Sequence, residues 1–273
     1  MTAETVPQTR SSLVRDLRNL GVRPGSTLLV HASLRSLGWV CGGAPTVVRA
    51  LLDVLGDDGT LVVPAFTREN RDPSRWSHLR VPEAWWPAIR AELPAFDPAV
   101  TPCRELGLIA ETVRTWPGAF RSGHPQTSFA AVGPRARELT VRHPITSELG
   151  PESPLAAVEA AGGDTLLLGV GYDRCTAFHL AEYRLPGLGR RPNRCVVATP
   201  EGRRWTTYQA AALDDRDFAE LGKALESISA NVVRIGNVGA GTARLLPVTS
   251  AVTFATTWLP RHRQASEQRV SPD

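Results

Sequence analysis

Two apolar runs, "STLLVHAS" over Ser26–Ser33 and "GTLVVPAF" over Gly59–Phe66, flank the helix-patterned segment "APTVVRALLDVLG". That combination constrains the fold more than any other feature of the chain. The segment places Val47, Val48, Leu51, Leu52 and Leu55 on one helical face, with Pro45 in the first turn and Gly56 as terminator. Two β-branched runs joined by such a helix make a βαβ unit, whose strands lie parallel with their carboxyl ends at one sheet edge. His31 and Ser33 close the first run, at the edge where open α/β sheets bind ligands. The stretch "GYDRCTAFH" repeats this placement after a third strand expected over Leu166–Val170.

Around this unit, "SSLVRDLRNLG" spaces Leu13, Leu17 and Leu20 as an amphipathic helix ended by Gly21. Between residues 68 and 120 many prolines and Trp76, Trp85, Trp86 and Trp116 interrupt any long period. This reads as an irregular insertion with short helices in "PEAWWPAIRAEL" and "ELGLIAETVRTW", its tryptophans packing the insertion or walling a substrate. "RCVVATPEGRRWTTYQ" reads as a hairpin turning at Pro200–Gly202, followed by a helix near Asp217–Ser229. The tail from Arg261 to Asp273 is polar and reads as disordered. The expectation is one α/β domain over residues 1–273: a βαβ-containing central sheet, an irregular helical insertion and a C-terminal antiparallel hairpin region.

Composition removes several function classes. The formal net charge is +4, yet the basic residues are scattered and no basic run interleaves with aromatics, so nucleic acid is not an expected partner. Lys223 is the only lysine and lies far from any glycine-rich turn, which argues against a Walker-type phosphate loop. Cys41, Cys103, Cys175 and Cys195 form no C-x-x-C pair, and a reducing compartment fits. With no apolar leader and no run of membrane-spanning length, a cytoplasmic protein is expected.

The segment "CTAFHLAEYR" puts His179 three residues before Glu182, on one face of a helix. Three readings are open: a zinc ligand pair, a general base with its orienting acid, or an ion pair in which Glu182 meets Arg184 or another arginine. Zinc would require His31, His124 and His179 to converge, but no H-E-x-x-H exists. A serine hydrolase lacks its G-x-S-x-G elbow. Cys175 reads as a packed side chain or as a nucleophile at a helix start. Thr176 suits the N-cap, and a carboxylate accepting one imidazole N–H leaves the other ring nitrogen free to take a proton. The loop "HASLRSLGWVCGG" offers Ser33, Ser36 and glycine amides before a helix N-terminus, a place for anionic or carbonyl-rich ligands.

Five blocks in order, "LLVHASLRSLGWVCGGAPTVVRALLDVLGDDGTLVVPAFT", "VPEAWWPAIRAELPAFDPAVTPCRELGLIAE", "GHPQTSFAAVGPRA", "GPESPLA" and "LLLGVGYDRCTAFHLAEYR", together with "RIGNVGAGTARLLPV", resemble the aminoglycoside 3-N-acetyltransferase family. The resemblance implies acetyl-CoA as cosubstrate and a fold distinct from the common acetyltransferase fold; no metal is expected, since neither the ligand spacing nor an amine's attack on a thioester calls for one. It implies catalysis through a T-x-x-H-x-x-E segment, here Thr176, His179 and Glu182. It maps a pantetheine-binding loop on His31, Ser33, Leu34, Ser36 and Gly38, and a further cofactor block on His124 and Ser128. Ala177 departs from the serine often found in relatives.

The implied reaction is direct acetyl transfer to the 3-amino group of a 2-deoxystreptamine aminoglycoside. A same-fold transferase acting on another amine, and a silent binder of aminoglycoside or CoA, would share the motif. A polycationic acceptor in a net basic protein calls for a locally acidic pocket, for which Asp72, Glu83 and Asp173 are the expected contributors, with Asp97 and Glu105 also available.

Overall fold

The βαβ unit forms as expected. The computed structural model of the chain describes residues 6–76, 81–228 and 232–270, with side chains to Arg263 in the last stretch. Helix α1 (Arg10–Leu20) starts at Thr9, whose side chain accepts from the Ser12 N–H, and ends at Gly21 with φ 100°. Strand β1 (Thr27–Ala32), helix α2 (Gly43–Leu55) and strand β2 (Thr60–Pro64) follow. β1 and β2 pair in parallel, Thr27 opposite Thr60 and Leu29 opposite Val62.

The insertion carries the two expected short helices, α3 (Trp86–Glu92) and α4 (Gly107–Arg114). Strands β3 (Phe120–Arg121) and β4 (Phe129–Val132) and helices α5 (Ala136–Thr140) and α6 (Pro154–Ala160) lead to β5 (Asp164–Leu168). After α7 (Ala177–Glu182) come the hairpin β6 (Arg190–Thr199) and β7 (Gly202–Ala211), α8 (Phe218–Ile228), β8 (Arg234–Val238), β9 (Gly241–Pro247) and α9 (Val248–Val270).

Seven strands form the main sheet in the order β3-β4-β2-β1-β5-β9-β8. Only the β1 pairings with β2 and β5 are parallel; the flanking strands β4, β3, β9 and β8 are antiparallel. Alternation along the central strands feeds two cores. Leu28, Val30, Leu61, Val63, Leu166 and Leu168 pack with α1, α2 and α4, whereas Leu29, Val62 and Leu167 pack with α6, α7, α8 and α9. The three parallel strands thus release their carboxyl ends at one edge, and the register Ala32 opposite Leu168 brings the loop after β1 beside the loop before α7. Gly169 fixes the approach: its φ is 69°, and a Cβ there would meet the Ser36 Cβ at 2.6 Å.

The helix expected near Asp217–Ser229 forms over Phe218–Ile228, Ser229 lying outside the described residues. Two sequence expectations are corrected. The third strand begins two residues early, at Asp164, and ends at Leu168. The segment expected to be disordered from Arg261 continues α9 as far as Val270, with Ser271–Asp273 outside the described residues. The hairpin stands apart from the main sheet and docks on the insertion. Asn70 exchanges two hydrogen bonds with the Val196 backbone, at 2.8 and 3.1 Å, and the Trp205 indole donates to the Arg90 carbonyl at 2.7 Å. Sheet edge, insertion and hairpin leave a cleft between them.

Candidate functional site

Helix α7 buries Phe178, Leu180 and Ala181 in the core, which turns His179 toward the cleft with 14% of its side chain exposed and Glu182 inward with none. The His179 Nδ1–H donates to Glu182 Oε2 at 2.6 Å. Glu182 Oε1 accepts from the Asp214 amide at 3.0 Å and from the Arg263 guanidinium at 2.7 Å. Arg263 is itself held by both Asp217 oxygens, at 2.7 and 2.9 Å, and donates to the Asp214 carbonyl. Arg184, a partner considered for Glu182, pairs with Glu159 instead. The Phe218 ring lies 4.7 Å from the imidazole, centroid to centroid. With Nδ1 bound to a carboxylate, Nε2 carries the free lone pair, and it has no protein partner among the described residues.

Arg263 belongs to the segment expected to be tail, and sequence reasoning missed it. Replacing it with methionine leaves the wholly buried Glu182 carboxylate without its guanidinium. The expected cost in urea unfolding is about 3 kcal/mol, the low end for breaking a buried pair. A change inside about 0.5 kcal/mol would place Arg263 among ordinary surface substitutions.

His31, at the end of β1, sits behind His179. Its Nε2 lies 3.1 Å from the Thr176 hydroxyl, and burial, with the His179 charge adding to it, pushes its pKa down to about 3. Thr176 occupies the N-cap position of α7 but its side chain makes no capping bond, because the hydroxyl is engaged by His31. Cys175 is fully buried and burial pushes its thiol up to about 12, so it is no thiolate at neutral pH.

The loop after β1 is a 3-10 turn in which Ser36 donates to the Ser33 hydroxyl at 2.9 Å. The amides of Ser36, Leu37 and Gly38 are spent inside this turn, and that of Ser33 is bound to Leu168. Those of Leu34 and Arg35 have no acceptor among the described residues. A cavity of about 620 Å³ runs along Ser33, Leu34, Gly38 and Trp39. It meets a second, about 250 Å³, at Ala32, Leu106 and Ile109, and His31 lines that one. Glu105 borders both and also a third cavity, about 190 Å³, which contains His179. The three cavities thus share Glu105 on their walls, with His31 lining the second and His179 the third.

Residues 29–260 match the family model described as aminoglycoside 3-N-acetyltransferase. The chain belongs to this family. A relative from Bacillus subtilis (strain 168), the SPbeta prophage-derived aminoglycoside N(3')-acetyltransferase-like protein YokD, is 41% identical over 256 residues, 93% of each chain. Its crystal structure superposes with a TM-score of 0.89, covering 93% of this chain and 94% of that one. The AAC-IIIb binary with CoASH is 32% identical with a TM-score of 0.82, over 94% of this chain and 98% of that one. AAC-VIa bound to sisomicin is 31% identical with a TM-score of 0.83, over 94% and 99%.

As an acyltransferase of the aminoglycoside 3-N-acetyltransferase family, the chain brings together Thr176, His179, Glu182, His31, Ser33, Leu34, Ser36 and Gly38. It does not bring in the other expected residues. His124 and Ser128 are fully buried. His124 Nδ1 accepts two amides, from Gln126 and Thr127, and its ring tilts over His143 at 4.7 Å. Ser128 donates to the Ala65 carbonyl and accepts from Arg121. Both brace the loop beneath the cleft rather than face it, so the zinc triad of His31, His124 and His179 does not converge either.

The acidic residues are likewise reassigned. Asp72 caps a turn and is gripped by Arg90 at 2.8 and 2.9 Å; Glu83 stands exposed on the insertion; Asp173 pairs with Arg174 at 3.0 Å. The carboxylates that line the His179 cavity are Glu69, Glu105, Glu148 and Asp215, of which Glu105 alone was noted from sequence. Trp76 lines it too, its indole bonded to the Glu69 and Arg71 carbonyls, so one of the insertion's tryptophans does wall the site. No helix among the described residues is long and apolar enough to cross a membrane.

Proposed function

We propose that the chain transfers acetyl from acetyl-CoA directly to an amine held beside His179, in the cytoplasm and without a metal. The 3-amino group of a 2-deoxystreptamine aminoglycoside is the acceptor that the family and the sisomicin-bound relative favour. One observation carries the reading: the 2.6 Å contact from His179 Nδ1 to a wholly buried carboxylate, in a histidine that lines the cavity. The Ser33–Gly38 arm receives the pantetheine chain and the arm lined by Gln126 and Glu148 receives the acceptor. His179 Nε2 takes the amine proton as nitrogen attacks the thioester carbon; Glu182 stabilises the imidazolium. When the C–S bond breaks, the imidazolium returns the proton to the departing thiolate. The carbonyl oxygen gathers charge at the loop, where the Leu34 and Arg35 amides are the unspent donors. Thr176 can add its hydroxyl only when His31 presents its own proton on Nε2.

CoA-thiol release across aminoglycosides, with the acetylated position read by NMR, tests the reaction. Ser33→Ala tests the assignment of the two arms. Its apparent KM for acetyl-CoA is expected to rise by about 3- to 10-fold, the worth of one hydrogen bond, with the acceptor KM unchanged. A rise confined to the acceptor would exchange the arms.

A further inference from the structure

The cavity around His179 is close to charge balance, since Glu69, Glu105, Glu148 and Asp215 share its walls with Arg68, Arg71, Arg75 and Arg191. A net negative field cannot draw a polycation into it, so a cation has to be recognised at a point. The four carboxylates are not equivalent. Glu105 and Asp215 are exposed and Glu69 is half-buried, whereas Glu148 is only 5% exposed. A charge pair made there is screened far less than one at the rim.

Glu148 is also fixed at both ends. Its backbone carbonyl accepts from the Thr127 hydroxyl at 3.0 Å and from the His143 Nε2–H at 2.9 Å. Its Oε1 accepts from the Tyr208 hydroxyl at 2.8 Å, with the Asn193 amide nitrogen 3.4 Å from the same oxygen. Tyr208 and Asn193 are in turn tied to Gln126, at 3.0 and 2.8 Å. Oε2 has no hydrogen-bond or ion-pair partner among the described residues. A buried carboxylate oxygen without a donor is costly, and one held rigidly by a residue of the cavity wall is matched to a donor that arrives with the ligand. Arg71 does not fill that place: Glu148 is its leading charged neighbour, yet the two form no ion pair, and the Arg71 Nε donates to Gln126 at 3.1 Å. We infer that Glu148 is the seat of a second, non-reacting ammonium of the acceptor, bound at Oε2 while another amine of the same molecule meets His179. The inference rests on the acetyl transfer proposed above and narrows its acceptors to molecules with at least two amines.

Calorimetry of sisomicin with the CoA-saturated enzyme tests the seat, because it needs no turnover. Glu148→Gln keeps an oxygen for Tyr208 and puts an amide nitrogen in place of Oε2, so it removes charge without opening a hole. It is expected to weaken sisomicin by at least ~10-fold, the worth of a hydrogen bond between charged groups, with the Kd of CoA unchanged. Asp215→Asn removes the same charge from an exposed wall and is expected to cost less. A loss as large in Asp215→Asn would mean a diffuse field and overturn the inference, as would a loss short of that size in folded Glu148→Gln, or no binding to the unaltered enzyme. Should Glu148→Gln not fold, Arg71→Gln decides. Removing this resident cation is expected to tighten sisomicin by about 3-fold or more, and unchanged or weaker binding overturns the seat. If sisomicin binds through Glu148 and is not acetylated, the transfer reading fails by itself and the seat stands.

Discussion

Replacing His179 with alanine is expected to lower kcat by about 10²- to 10⁴-fold, the span of a positioned general base. Nδ1 is committed to Glu182, Phe218 limits the tilt of the ring, and Nε2 is left to the cleft. Without the imidazole, an attacking amine must lose its proton to water, while the donor loop and the acceptor cavity remain. The loss should therefore fall on kcat, with the acetyl-CoA KM nearly constant. Added imidazole should restore part of the rate. Glu182→Gln keeps a side chain of the same shape but removes the charge that stabilises the imidazolium, and it should lose about 10- to 10²-fold. Arg263 would then face a neutral partner, so folding must be checked alongside. Rates within a few-fold of the unaltered enzyme in both folded variants would reduce the pair to an ion pair and move the base elsewhere.

Stability is expected to fall steeply in mild acid, by about 6 kcal/mol between pH 7 and pH 5, because three histidines are buried as neutral rings. Burial holds His31 down to about 3 and His143 to about 4, and His124 lies well below its ordinary value for the same reason. Each takes a proton near pH 6.5 once unfolded. Between these limits the unfolded chain binds three protons that the folded one refuses, so stability is present above about pH 6.5 and is lost as pH falls. The slope is about 4 kcal/mol per pH unit for three such groups. Carboxylates add to this only in stronger acid: Arg114 holds Glu111 down to about 2, and its contribution fades below its unfolded value of 4.5. Urea unfolding at pH 7, 6 and 5 measures the slope. A flat profile would mean that the three rings charge in place.

The βαβ unit was legible because its information is local. Val47, Val48, Leu51 and Leu55 write a helical face, and Leu28–Val30 and Leu61–Val63 write buried strands, with no help from distant residues. The hairpin turn at Gly202 and the dyad of His179 and Glu182 were legible for the same reason. The antiparallel placement of β9 against β5 was not, since nothing in "TARLLPV" encodes its partner. Contacts of long sequence separation decided the rest of the site. Asp72 looks like any other available acid until Arg90 closes on it, and Thr176 looks like a cap until the fold delivers His31 from 145 residues away. The last turns of α9 read as solvated tail because their composition is polar, and Arg263, which reaches Glu182 from there, is polar too.

Arg263 also sets the order in which the site comes into being. It is separated from Glu182 by 81 residues and follows every strand of the sheet. Because α9 packs on α7, the docking of that helix both covers the Glu182 side chain and delivers its counter-charge. The dyad therefore acquires its finished electrostatics in a single packing event: the catalytic histidine is oriented by a carboxylate whose own setting depends on an element that contributes no residue to the cleft.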